Sequence, residues 1–237
     1  MNRILFSTDE IHDGVVTIGD ARAEHIIRVL HGEEGQVLKT GEINGLLGTS
    51  EIINLDKARS QVSIRVNHNE ESLRPWADLI LAPPRPRVMK RLLPQLATLG
   101  VGRIVLVGAN KVEKDFWGAT LLKKEQYTPL FVDGLMQAGT TIMPELIVRR
   151  NFRKFIQEEL SSMFPTTNKI VAHPTKEAQL AHQSSTADRL LLAVGPEGGW
   201  TESEVELLKE NAFSLCSLGP RILKTETAVI SLLARLS

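Results

Sequence analysis

LLLAVGPEGGWTESE, residues 190–204, changes character twice in fifteen positions. Its first five residues are all apolar, the pattern of a strand buried on both faces. Gly195, Gly198 and Gly199 then let the backbone turn sharply and come close to a ligand. Thr201 is placed to cap the next helix, with Glu204 three residues on to complete a capping box. A buried strand, a glycine turn and a capped helix form the repeating unit of an open α/β sheet. Ligands of such sheets bind beyond the carboxyl ends of the strands.

Working outward, the same alternation fills the chain from about residue 75. ADLILA, RIVLVG, ELIVRR, NKIVAHP, RLLLAVG and FSLCSL are strand-like. RVMKRLLPQLATLG, residues 119–138, NFRKFIQEEL, TESEVELLKEN and TAVISLLARL are helix-like, with Gly100 closing the first. Apolar strands alternating with helices predict a mostly parallel sheet covered on both faces. Pro94 falls inside a predicted helix and is expected to kink or break it. The first 70 residues differ. ILFS, VVTI, QVLKT, GLLGTSEIINL and SQVSIRV are short alternating runs around one helix, ARAEHIIRVL, which Asp20 would cap. Five strands and one helix predict a small closed or half-closed β-barrel. NHNEESLRP, residues 67–75, reads as the linker. The expected domains are therefore 1–70 and 75–237.

Composition narrows the chemistry. One cysteine, Cys216, supports neither an internal disulfide framework nor a cysteine zinc site, so no metal is expected. It sits in an apolar run and reads as packing. No apolar stretch approaches the ~20 residues that span a bilayer, which predicts a soluble, cytoplasmic protein with no membrane partner. Net charge is zero but uneven: residues 1–72 hold 7 Lys+Arg against 12 Asp+Glu, and 73–237 hold 21 against 16. Between Asp78 and Glu113 there is no acid, only Arg85, Arg87, Lys90, Arg91, Arg103 and Lys111. That stretch can face phosphates or be a solvated helix face.

Three strand ends carry chemistry: Ala172–Pro174, Val194–Gly199 and LGPRILKTETA, residues 218–228. Neither G-x-G-x-x-G nor G-x-x-x-x-G-K-[ST] is present, and Glu197, Glu202, Glu204 and Glu206 would repel phosphate. A ligand without phosphates, gripped through backbone groups, fits better; an adenosine or amino-acid moiety meets that description.

GPEGG after a strand, followed by LGPRILKTETA before the last helix, resembles the RsmE-type branch of the SPOUT superfamily, a family of knotted RNA methyltransferases. His25, Arg28, Val29, Leu30 and His31 are similar to the branch's H-x-x-R-V-L-R, and ATLGV, residues 97–101, to its T-E-L-G-V. The resemblance covers nearly the whole chain. It implies an α/β trefoil-knot domain, in which the C-terminal segment is threaded through a loop, behind a PUA-like barrel that binds RNA. It implies a homodimer that uses S-adenosylmethionine to methylate N3 of a uridine in 16S ribosomal RNA. Carried over, Ala172, His173, Pro174, Val194, Gly195, Pro196, Glu197, Gly198, Gly199, Leu218, Gly219, Pro220, Arg221, Ile222, Leu223, Thr227 and Ala228 would hold the cofactor. Arg221, Lys224 and Glu226 would act on the base. Arg22, His25, Arg28 and His31, with Arg85, Arg87, Lys90 and Arg91, would contact RNA. Departures are Lys224 and His31 in place of family arginines, Pro94 in the first helix of the second domain, and GANKVEKDFW and MQAGTTIMPE in place of two family motifs. These leave room for a paralogue acting on another RNA or a non-catalytic RNA-binding assembly factor. An ordinary nucleotide-dependent α/β enzyme is the remaining alternative.

Overall fold

The computed structural model describes residues 3–166, 168–175, 178–180 and 188–237. They fall into two compact units, Met1–Arg74 with Leu135–Met143, and Pro75–Gly134 with Pro144–Ser237.

In the first unit, strands β1 (Ile4–Phe6), β2 (Val15–Ile18), β3 (Val37–Glu42), β4 (Leu47–Asp56) and β5 (Gln61–Glu70) form one sheet in the order β1-β3-β4-β5-β2. β1 runs parallel to β3 and the other pairs are antiparallel. Register shifts between Leu47 and Gly48 and between Ile52 and Asn54 mark bulges, which bend a strand and raise its twist. Helix α1 (Ala21–Arg28) starts at Asp20, whose carboxylate accepts the Arg22 N–H. It turns Ala23 and Ile26 inward onto Phe6, Val16, Ile52, Val62 and Ile64. β5 runs four residues into the segment that reads as linker, because Leu47, Gly48 and Thr49 of β4 supply partners for Glu70, His68 and Asn67. Leu135–Met143 joins this unit through Thr141, buried, whose Oγ1 donates to Gly45 O and whose O accepts from Asn44 N.

The second unit holds β6 (Ala77–Leu81), β7 (Val101–Val107), β8 (Glu145–Arg149), β9 (Lys169–Ala172), β10 (Gln179–Leu180), β11 (Leu190–Val194) and β12 (Ser214–Ser217). Their order is β10-β12-β9-β11-β6-β7-β8, and every pairing is parallel. The helices are α2 (Pro86–Thr98), α3 (Lys124–Ala138), α4 (Phe152–Lys154), α5 (Leu160–Met163), α6 (Glu202–Glu210) and α7 (Thr225–Leu236); a π-turn at Phe155–Glu159 joins α4 to α5. Of residues 119–123, expected as helix, Thr120–Leu122 form a 3-10 turn ahead of α3, and Ala119 and Lys123 on either side of it are extended. α2 continues through Pro94. The proline removes one ladder donor at a cost of about 3 kcal/mol. Leu92, Leu93, Leu96 and Ala97, on either side of it, are all buried and hold the helix at roughly 1.5–3 kcal/mol for each full-sized side chain. No helix among the described residues is long and apolar enough to cross a membrane.

At the amino end of this sheet, buried Asp78 is clamped by two cations. Its Oδ1 accepts from Arg103 N at 2.8 Å and Arg189 Nη2 at 2.5 Å, and its Oδ2 accepts from Arg103 Nη2 at 2.9 Å. A Cβ on Gly102 would fall 1.8 Å from Arg189 Nη2, so glycine leaves the path for that arginine. The clamp ties β6, β7 and the start of β11 together. Asp78→Ala leaves both arginines without their carboxylate, and the cost is about 3 kcal/mol, the low end for a broken buried pair because both arginines are partly exposed. Urea unfolding followed by circular dichroism checks this; an unchanged midpoint would contradict it.

Candidate functional site

β12, β9 and β11 are consecutive neighbours in the sheet and all point the same way. Their carboxyl ends, Ser217, Ala172 and Val194, therefore come side by side, although they lie far apart in sequence. The loops leaving them enclose a cavity of about 310 Å³, a size suited to a small organic ligand.

Each wall has a local cause. Gly195 leaves the end of β11 with Trp200 packed over it; a Cβ there would lie 3.1 Å from Trp200 N. Gly199 takes φ 68° and its N–H returns to Pro196 O at 2.8 Å, closing the turn. Thr201 and Glu204 form the expected capping box of α6. Across the cavity His173 N–H donates to Cys216 O at 2.9 Å, and Gly219 adopts φ 100°, which only glycine takes without strain. α7 closes the floor with Thr225, Ala228 and Leu232, spaced i, i+3, i+7 on one helical face.

Of the residues expected to hold a cofactor, Ala172, His173, Pro174, Val194, Gly195, Pro196, Glu197, Gly198, Gly199, Leu218, Gly219, Arg221, Ile222, Leu223 and Ala228 line this cavity. Pro220 and Thr227 do not: both are exposed outside it. Trp200, Cys216, Ser217, Thr225 and Leu232 line it without having been expected there. Trp200 directly follows the glycine turn, and Thr225 and Leu232 repeat at helical spacing with Ala228, so those three were marked in the sequence. Arg221 lines the cavity; Lys224 is the exposed N-cap of α7, and Glu226 lies in its first turn. None of these three makes an ion pair among the described residues.

Burial pushes the Cys216 thiol up, a shift that Arg235 opposes, so the thiol is held protonated. Burial pulls His173 down, and the charges of Lys209 and Lys111 add to that, so its imidazole is held neutral. Lys111 is not a phosphate-facing cation in this arrangement. Its Nζ donates to Gly198 O at 2.7 Å, and its stem lies where a Gly198 Cβ would be.

The expected RNA-facing set is divided. Arg22 is withdrawn from it. Its guanidinium is bound by Glu10, Asp20 and Leu5 O and is only partly exposed, because the short sheet spends it on closing the α1 end. Burial works against its charge, and the two carboxylates outweigh that and raise its pKa. His25 has Nε2 buried without a partner, whereas Arg28 and His31 are exposed. In the second unit, Arg85, Arg87, Lys90 and Arg91 are all exposed, and Arg85 makes a loose pair with Glu113 at 3.2 Å.

Comparison with known proteins gives this arrangement its context. Residues 69–237 match the model of an RNA methyltransferase domain. A relative from Treponema pallidum, Ribosomal RNA small subunit methyltransferase E, is 32% identical over 96% of this chain and 87% of its own length. The chain belongs to the RNA methyltransferase family, in its RsmE-type SPOUT branch. Ribosomal RNA small subunit methyltransferase E 1 of Borreliella burgdorferi is 26% identical over 98% of this chain and 95% of its own. The fold matches that of a Neisseria gonorrhoeae Ribosomal RNA small subunit methyltransferase E solved with S-adenosyl methionine bound, with a TM-score of 0.76 at 22% identity over 99% of this chain and 95% of that one.

Lys111→Met removes one of the positive charges acting on His173 while keeping the stem over Gly198. The His173 titration followed by NMR moves upward, toward the ordinary histidine value. No movement, or a downward one, would show that Lys111 does not act on this cavity.

Proposed function

We propose that the chain is an S-adenosylmethionine-dependent methyltransferase that modifies N3 of a uridine in 16S ribosomal RNA. The observation that carries this reading is the cavity at the three neighbouring strand ends, in a chain of this family. The cavity fits the cofactor in kind. Val194, Leu218, Leu223 and Leu232 offer apolar surface for an adenine ring, and the glycine turns expose backbone N–H and C=O groups to its edges. Glu197 and Arg221 add one charge of each sign for the amino-acid end. The absence of a phosphate cradle agrees with a ligand that carries no phosphate. The cofactor supplies an electrophilic methyl group.

The residues of this chain have the other half of the task. Uridine N3 carries a proton and is a poor nucleophile until that proton leaves. A guanidinium beside the uracil carbonyls stabilises the charge that develops there. Arg221, on the cavity wall with no carboxylate partner among the described residues, is the group placed to do so, and Lys224 is a second cation three residues on. Glu226 is available to accept the proton or to orient Arg221. The segment 75–237 would hold the catalytic centre, with its C-terminal part threaded into a knot, and 1–70 would bind RNA. A homodimer in the cytoplasm completes the reading.

Nucleoside mass spectrometry of 16S ribosomal RNA from cells with and without the gene tests this directly. Loss of N3-methyluridine without the gene is expected. Its persistence, or loss of a different methylated nucleoside, would overturn the assigned target. Arg221→Ala is expected to lower single-turnover methylation about 100-fold while leaving cofactor binding within about tenfold. Full-rate methylation by that variant would remove Arg221 from the chemistry.

A further inference from the structure

A second cavity, about 260 Å³, adjoins the start of α6 and is distinct from the first. Asn110, Arg150, Asn151, Arg153 and Ser203 line it, with Glu204. Phe152, on its wall, stacks on Trp200 of the first cavity with ring centroids 5.2 Å apart, so one aromatic pair lies between the two.

Its charge is not balanced internally. Arg149–Lys154 contains four cations and no acid. Two of them have partners: Arg149 pairs with Glu159 at 2.6 Å and Lys154 lies 3.9 Å from Glu158. Arg150 and Arg153 have no carboxylate partner among the described residues. Arg150 is held in place by Trp117, with Nη2 donating to its carbonyl at 3.2 Å and Cζ 5.8 Å from its ring. The one carboxylate on the wall, Glu204, is 5% exposed and already engaged. Its Oε1 accepts from Asn110 N at 2.8 Å, and its Oε2 accepts from Thr201 N at 2.8 Å and from Thr201 Oγ1 at 2.9 Å. What borders the cavity is therefore two arginines among neutral amide and hydroxyl groups: Arg153, with no hydrogen-bond partner among the described residues, and Arg150, whose Nη2 is on the Trp117 carbonyl and whose other donors are unspent. A planar fork of N–H donors matches phosphate oxygens two at a time. Cations on a solvated helix face need no such setting; these two border a concave polar space beside the proposed methyl-transfer site.

We propose that this cavity is a subsite for one phosphodiester of the RNA strand, held by Arg150 and Arg153, which fixes the strand relative to the first cavity. The proposal rests on the RNA-methyltransferase reading. It also supplies phosphate contacts in a chain whose Arg22 and Lys111 are turned to internal partners. Such contacts position a strand without reading its sequence.

The test is filter binding of in-vitro-transcribed 16S ribosomal RNA across a range of salt concentrations, with S-adenosylmethionine affinity measured on the same proteins. Arg153→Ala is expected to weaken RNA binding several-fold and to flatten the plot of log affinity against log salt by about one unit, the loss of one phosphate contact. Arg153→Lys keeps the slope, and Arg150→Ala with Arg153→Ala flattens it further. Cofactor affinity stays unchanged in all three. An unchanged slope in Arg153→Ala would overturn the subsite, as would an equal loss in Lys123→Ala, an exposed cation outside the cavity. Inorganic phosphate binding that depends on Arg153, in a protein indifferent to RNA, would also overturn it and assign the cavity to free phosphate. Wild-type protein with no affinity for the cofactor would instead sink the methyltransferase reading, so the two failures are distinguishable.

Discussion

Parallel backbone pairing of β12, β9 and β11 is the constraint from which the site follows. Each strand ends in a loop of unusual composition, but no loop makes a cavity alone. The ladders Ser214–Cys216 on Ile170–Ala172 and Leu191–Val194 on Lys169–Ala172 put the three ends level with one another. Parallel neighbours need a crossover between them, so their ends gather residues from distant parts of the chain. Asp78, gripped by Arg103 and Arg189, secures the opposite end of the same sheet, on the side away from the cavity.

Electrostatics are sorted by position more than by amount. Zero net charge conceals cations used in three ways. Arg22, Arg103 and Arg189 neutralise internal carboxylates. Lys111 holds a glycine carbonyl and acts on His173. Arg28, Arg87, Lys90, Arg91, Arg153 and Arg221 are left exposed without ion pairs among the described residues. Cations of this third kind, Arg150 and Lys224 among them, are free to meet an RNA strand under the proposed function.

What could be read from the sequence was what local chemistry decides. The capping box at Thr201 and Glu204, the cap at Asp20 and the glycine stop at Gly100 depend on neighbours a few residues away. The apolar runs of β6, β7 and β11 needed nothing but their own composition. Most cavity residues were legible because they belong to the turns that end those strands. Features set by tertiary partners were not. Pro94 stays helical because burial outweighs a lost donor, and β5 outruns its apolar pattern because β4 continues beside it. Arg22 meets Glu10 across a turn that no periodicity reveals, and Leu135–Met143 joins the first unit through Thr141.

The central claim is that the cavity enclosed by these strand ends and floored by α7 is where S-adenosylmethionine binds. Calorimetric titration of the cofactor into the wild-type protein and into Ala228→Phe, which fills the cavity from its floor, tests it most directly. The account predicts one site per chain in the wild type and lost binding in the variant, with thermal unfolding of the two proteins alike. Equal affinity in both proteins, or no binding to the wild type, would contradict it.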